Sequence, residues 1–172
     1  CYHCSLIYAL KEGGRQNDCG VRIYTEPVPE YTWSPHLTPE EGYIAAQHIF
    51  RTPAIIFGFQ NRTLILIPDC RAMERQGIPF YLDMDAQHGM MAIGMSESEV
   101  TGHILYQKAP GVAYPAGETE LSFYLLEYAQ RLKDPFREVL KFYWSHGGKE
   151  DFLEALGEKK DLSPYVEHTY EW

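Results

Sequence analysis

Phe50-Arg51-Thr52-Pro53-Ala54-Ile55-Ile56-Phe57-Gly58-Phe59-Gln60-Asn61-Arg62-Thr63-Leu64-Ile65-Leu66-Ile67 is the stretch that decides the fold. Two runs of β-branched and aromatic residues flank a polar turn at Gln60-Asn61-Arg62, which is the pattern of a hairpin. A strand with one wet face alternates apolar and polar residues. These runs are apolar at nearly every position, which predicts cover on both faces. Pro53 suits the first residue of a strand, where no ladder donor is needed. Pro68-Asp69 ends the second run. A hairpin covered on both faces requires a layered β structure around it.

Upstream, Ser5-Leu6-Ile7-Tyr8-Ala9 reads as a strand. Turn chemistry runs from Glu12-Gly13-Gly14 to Asn17-Asp18. Val21-Arg22-Ile23-Tyr24-Thr25 alternates and returns, which predicts a long-looped hairpin with the first strand. Residues 26–42 hold Pro27, Pro29, Pro35 and Pro39 and read as a loop, with one turn of helix at Thr38-Pro39-Glu40-Glu41. Residues 43–50 read as a strand, with a helix as the rival.

Downstream, residues 71–76 form a short helical turn stopped by Gly77. Phe80-Tyr81-Leu82-Asp83-Met84 and residues 90–95 are strands about the turn Ala86-Gln87-His88-Gly89. Residues 100–107 are a further strand, 108–118 a loop, and 121–128 a long strand with apolar residues on both faces. About eight to nine strands separated by turn signals predict a mainly β fold, an antiparallel β-sandwich of the supersandwich kind, with a helical linker at its C-terminal end.

The period changes after residue 130. Asp134 caps a helix and Pro135 takes its first position. Phe136, Val139, Leu140, Tyr143 and Trp144 fall on one stripe. Gly147-Gly148 stops it, and a second short helix carries Phe152, Leu153 and Leu156 before Gly157. The expected organisation is a β-sandwich domain over 1–130, a helical connector over 131–157 and a linker toward a following domain over 158–172.

The chain has 172 residues and a formal net charge of −9. That length buries a core without staples, and the negative field repels phosphate backbones, so nucleic acid is not expected as a partner. No basic cluster suits an anionic membrane surface, and no apolar run reaches the roughly 18 residues of a spanning helix. Thirteen Tyr, eight Phe and three Trp are a rich aromatic complement, suited to half-buried strands and polar partners. Cys1, Cys4, Cys19 and Cys70 are too few for a disulfide framework in a chain this size and read as reduced thiols. Asn61-Arg62-Thr63 matches a glycosylation acceptor on a turn, relevant only to a secreted eukaryotic chain.

Cys1-Tyr2-His3-Cys4 lacks the second ligand pair that a zinc site needs, and it lacks the strand-then-helix setting of a redox thiol; ordinary strand cysteines fit better. No metal or cofactor is expected. Asp83-Met84-Asp85 puts two carboxylates on one face of a strand, with α-carbons about 6.5–7 Å apart. A glycosidase pair has such a spacing, although paired catalytic carboxylates commonly come from different elements. The plain alternative is acidic residues running into a turn. Tyr31-Thr32-Trp33-Ser34-Pro35-His36 puts three rings in six residues of a Pro-rich loop. Such rings offer flat apolar faces with polar edges, on which carbohydrate C–H faces stack. Tyr31, Trp33 and His36 are therefore the candidate ligand-binding residues, against the alternative that Trp33 plugs one end of the sandwich.

The order of elements, with Trp33-Ser34-Pro35-His36, Pro68-Asp69 and Tyr114-Pro115-Ala116-Gly117 through Phe123-Tyr124-Leu125, resembles the N-terminal β-sandwich of glycoside hydrolases that carry an (α/α)6 catalytic barrel. The resemblance covers nearly the whole chain and is one of layout. It implies a non-catalytic accessory role: packing on a C-terminal catalytic domain of the same polypeptide, shaping its cleft and contacting carbohydrate. No catalytic residue carries over. The rival expectations are a stand-alone hydrolase using Asp83, Asp85 and His88, and a protein-interaction module using the aromatics at Tyr170 and Trp172.

Overall fold

The computed structural model describes residues 1–16, 19–33, 44–46, 54–77, 80–95 and 112–156. Two antiparallel sheets share one core, as a β-sandwich. The first, in spatial order, is β1 (Tyr2–Leu10), β11 (Gly117–Tyr128), β7 (Thr63–Pro68), β6 (Ile55–Gly58) and β4 (Tyr31–Trp33). The second is β3 (Cys19–Tyr24), β9 (Met90–Met95), β8 (Phe80–Asp85) and β5 (Ile44–Ala46). A short ribbon pairs β2 (Gly14–Gln16) with β10 (Val112–Tyr114). Ile55, Phe57, Leu64 and Leu66 of the first sheet share a single hydrophobic cluster with Leu82, Met84, Met91 and Ile93 of the second. Each such side chain contributes about 1.5–3 kcal/mol on leaving water.

The central hairpin is as the pattern predicts. β6 and β7 pair from Ile55 with Leu66 to Gly58 with Thr63, and every residue of both is buried. The amide of Phe59 donates to the Arg62 carbonyl at 2.9 Å and closes the turn. Ile56 and Ile65 are buried on the opposite face of the sheet from that cluster, in a row that continues to Trp33 and Leu126. Thr63 is buried and its hydroxyl holds the segment after β11, donating to the Gln130 carbonyl at 3.1 Å and accepting from the Leu132 amide at 2.9 Å.

β7 ends at Pro68, and among the described residues no strand pairs with the first half of β11 on that side. Helix α1 (Cys70–Gln76) takes the place. Asp69 caps it, its Oδ1 accepting from the Ala72 amide at 3.0 Å, while its own amide donates to the Ser122 carbonyl at 3.0 Å. Two turns on, Gln76 reaches back to Glu120: its Oε1 accepts from the Glu120 amide at 2.7 Å, and its Nε2 donates to the Glu120 carbonyl. Gly77 ends the helix with φ +65°, a conformation that suits glycine.

Several expectations are corrected. β1 and β3 do not form a hairpin: β1 pairs with β11 over nine residues, and β3 pairs with β9. The β2 ribbon intervenes and carries the chain from one sheet to the other. Tyr31-Thr32-Trp33 is not loop but the edge strand β4, formed because β6 offers an open edge and these three residues contain no proline. Val112-Ala113-Tyr114 is likewise a strand within the expected loop, and β11 begins four residues earlier than predicted, at Gly117. Of residues 43–50, only 44–46 are described, and they are strand; the expected strand over 100–107 lies outside the described residues, as does the expected linker over 158–172.

By contact the chain divides into two compact units, 1–139 and 140–172. The boundary falls inside α2 (Pro135–Tyr143), which Asp134 caps as predicted, its Oδ1 accepting from the Arg137 amide at 3.1 Å. Its buried residues are Val139 and Phe142, whereas Phe136, Leu140 and Trp144 of the expected stripe are exposed. In the second unit a π-turn, Trp144–Gly148, breaks the helical register before α3 (Lys149–Leu156), with Gly147 at φ +107°. No helix among the described residues is long and apolar enough to cross a membrane.

Candidate functional site

The four-stranded sheet turns Phe80, Leu82 and Met84 of β8 into the core, so Tyr81, Asp83 and Asp85 point the other way. Pairing extends each into a row across β9 and β3: Tyr81 with Gly94 and Gly20, Asp83 with Ala92 and Arg22, Asp85 with Met90 and Tyr24. The first row is a packing device. A Cβ on Gly94 would stand 2.5 Å from the Tyr81 hydroxyl oxygen and 2.6 Å from its ring, so the Tyr81 ring lies directly over the glycine and is itself buried.

The two carboxylates have opposite environments. Burial pushes the Asp83 pKa up to about 6, against the downward pull of its bond from the Met84 amide (2.8 Å) and of Arg22. Asp85 is held below the ordinary carboxylate value, first by the hydrogen bond from the His88 ring. His88 Nδ1 lies 2.6 Å from Asp85 Oδ2, and Asp85 Oδ1 accepts from the Gln87 amide at 3.0 Å and the His88 amide at 3.1 Å. Asp85 thus builds the β8–β9 turn and orients the imidazole at once. Paired groups pushed apart in this way are a recognised arrangement for acid–base work.

The turn is fastened to the segment that follows β3. Both the amide and the hydroxyl of Thr25 donate to the Gly89 carbonyl at 2.9 Å. Gly89 has φ +61°, and a Cβ there would meet the Thr25 carbonyl at 2.8 Å. Arg62 Nη2 donates to the Glu26 carbonyl at 2.8 Å and braces the same segment from the other sheet's hairpin. Between segment and turn lies a cleft of about 730 Å³, whose walls include Tyr24, Glu26, Val28, Asp85, His88 and Met90.

Of the three ring residues singled out in the sequence, Tyr31 is exposed and lines a second cleft of about 520 Å³ beside Arg131 and Lys133. Trp33 points to the same side of β4 but is half-buried, with its ring 5.2 Å from that of Phe136. His36 lies outside the described residues. The structure therefore brings Tyr31 and Trp33 to one face and gives Trp33 a packing contact. Tyr24 was missed as a site residue; the alternation of 21–25 puts Arg22 and Tyr24 on one face, but no local signal tells what lies two strands away.

His3 and Cys4 project from opposite faces of β1. His3 stacks on Tyr124 at 4.3 Å, and Cys4 packs against the core. Ser122 Oγ and Asp69 Oδ2 both approach the same ring nitrogen of His3, Nε2, at 2.8 and 3.3 Å. A nucleophilic relay needs one ring nitrogen for each partner, and Ser122 is buried. The cluster is a polar seam between β1, β11 and the start of α1. Among the described residues no group of three or more His, Cys, Asp or Glu is placed to hold a metal ion.

No family model, curated protein or solved structure matches this chain.

Proposed function

We propose that this chain is the accessory β-sandwich module of a carbohydrate-active enzyme, a glycoside hydrolase, packing on a catalytic domain of the same polypeptide and shaping its cleft. The observation that carries the reading is architectural: a two-sheet sandwich closes on the long strand β11 and is followed by a helical segment that forms a compact unit of its own from Leu140. The module contributes surface and no catalytic group. Tyr31, exposed beside a cleft, is where this reading first puts a sugar contact. The test is made on the natural polypeptide that carries this chain, assayed for release of reducing ends from polysaccharide. Loss of most of that activity on deleting 1–139 is expected. A natural polypeptide with no domain able to cleave a glycosidic bond would overturn the proposal.

A second reading has one specific observation in its favour, the divergence of Asp83 and Asp85 beside His88. It takes Asp83, protonated up to about pH 6, as the acid and the Asp85-oriented imidazole as the base of a hydrolysis catalysed by this unit alone. Turnover by the isolated chain that disappears in Asp83→Asn would establish it.

A further inference from the structure

We infer that the cleft between the segment after β3 and the β8–β9 turn is a saccharide subsite, with Tyr24 as the platform for one sugar ring and His88, held by Asp85, as its hydroxyl partner. The inference rests on the carbohydrate reading above and moves the contact to the opposite sheet from Tyr31 and Trp33.

Tyr24 is 67 % exposed although it lies within a paired strand. Its pairing partner Met90 lies between it and Asp85 in one cross-strand row, so ring and carboxylate stand two strand spacings apart, about 10 Å at the backbone. Met90 is the floor between them. A flat apolar ring on one side and a fixed polar group on the other suit a ring with one C–H face and hydroxyls around its edge.

The polar wall is pre-organised. Among the described residues the Asp85 carboxylate is bonded by the turn itself, by two backbone amides and by the imidazole. Asp85 is therefore a positioning residue, and the side chain it presents to the cleft is His88, 66 % exposed. The opposite wall is equally fixed, by the two Thr25 bonds to Gly89 and by the brace from Arg62 to the Glu26 carbonyl. A ligand entering the cleft has little backbone to order, which favours binding.

Charge narrows the ligand class. Among the described residues Glu26 and Asp85 line the cleft, no Lys or Arg does, and the chain carries −9 overall. Anionic sugars and phosphates are repelled. A cation would be drawn by the acids, yet Asp85 is already engaged by His88, so a neutral polyol meets the donors and acceptors with less competition. Neutral saccharide is the class assigned.

The test is an NMR titration of the whole 172-residue chain with cellohexaose, xylohexaose and mannohexaose in turn, and with spermidine as the cationic probe. The expected result is that at least one hexasaccharide shifts the resonances of Tyr24, His88 and Met90 together. Tyr24→Ala should then weaken that binding by about tenfold or more, with His88→Gln weakening it less. Tyr24 is exposed, so its variant keeps the fold, which the unchanged remainder of the spectrum verifies. Saccharide shifts centred on Tyr31 and untouched by Tyr24→Ala would overturn the inference and leave the carbohydrate reading standing. Shifts from spermidine alone would assign the cleft to cations and overturn it. Silence from all four probes would also overturn it, while the accessory-module reading is decided separately by the deletion assay.

Discussion

The side-chain amide of Gln76 occupies both backbone hydrogen-bonding groups of Glu120, accepting from its amide at 2.7 Å and donating to its carbonyl. A glutamine amide has the donor and acceptor of a peptide group, so Gln76 acts as one residue of a strand that is not there. It continues on β11 the ladder that β7 abandons at Pro68, with Asp69 and Met73 filling the positions between: the Asp69 amide bonds the Ser122 carbonyl, and the Ser122 amide meets the Met73 sulfur at 3.4 Å.

Gln76→Ala leaves the Glu120 amide and carbonyl without those partners. The expected loss is about 1–3 kcal/mol, the cost of stripping partly buried backbone groups of their bonds. Gln76→Glu keeps an acceptor for the amide but sets a carboxylate against the carbonyl, so it should be no better than alanine at neutral pH. Urea unfolding of the three chains measures this. Equal midpoints for wild type and Gln76→Ala would refute the substitute-strand account.

Gly94→Ala tests the ring that lies over β9. The new methyl would fall within 2.6 Å of the Tyr81 ring atoms, so a buried ring must swing away or the sheet must open. Overpacking of this kind costs about 1–3 kcal/mol. The near-ultraviolet tyrosine signal should change with it. The double variant Gly94→Ala with Tyr81→Ala should recover part of the loss of Gly94→Ala, because the clashing partner is gone.

Asp83 and Asp85 give stability opposite slopes with pH. The Asp83 pKa is raised in the fold, to about 6 from 3.8. The folded chain therefore holds a proton that the unfolded chain releases, and stability falls as pH rises between those values. The cost above pH 6 is about 1–2 kcal/mol once solvent screening of a half-buried group is allowed for. Asp85 is depressed, so its contribution is present above the ordinary carboxylate pKa and is lost as pH falls below it. Asp83→Asn keeps an acceptor for the Met84 amide and should raise the neutral-pH midpoint while flattening the curve between pH 4 and pH 6. Thermal midpoints taken every half pH unit would show it; a wild-type profile from the Asp83→Asn chain would contradict the environment described for this carboxyl.

Trp33 and Phe136 meet with ring centroids 5.2 Å apart at an interplanar angle of 53°. A double-mutant cycle to alanine should return a coupling of about 0.5–1.5 kcal/mol, the usual worth of such a ring pair. Zero coupling would mean that the rings merely lie near one another. The same Trp33→Ala chain, titrated with hexasaccharide, shows whether the ring serves packing alone.

The hairpin over β6 and β7 was legible because burial on both faces leaves no polar position to confuse the pattern, and Asp134-Pro135 was legible because a cap acts on its own next turn. Strands 80–85 and 90–95 were legible for a related reason, the short turn between them. Partner choice was not local and so was not legible. The run Ser5-Leu6-Ile7-Tyr8-Ala9 says that β1 is a strand, but it does not say whether β3 or β11 will meet it. Tyr31-Thr32-Trp33 is a strand only because β6 presents an edge, a fact residing some 25 residues away. The candidate site divides along the same line. Asp83, Asp85 and His88 could be read as neighbours in sequence, whereas Tyr24 joins them only through the pairing of β3 with β9 and β8 with β9. The direction of each carboxyl's shift depends on burial and on the imidazole, which spacing alone does not encode.

The pairing of β1 with β11 also sets an order of events during synthesis. His3 bonds to Ser122, which lies 119 residues later in the chain. A polypeptide emerging from the ribosome exposes β1 for the whole of that interval, with the inward side chains of Cys4, Tyr8 and Leu10 still uncovered. The β6–β7 hairpin and the β8–β9 pair can close as soon as their turns are made, because their contacts are local. The five-stranded sheet waits for β11, the strand that joins β1 to β7. Nascent chains should thus pass through a stage in which half the sandwich is assembled and its first strand is available to chaperones or to a neighbouring chain.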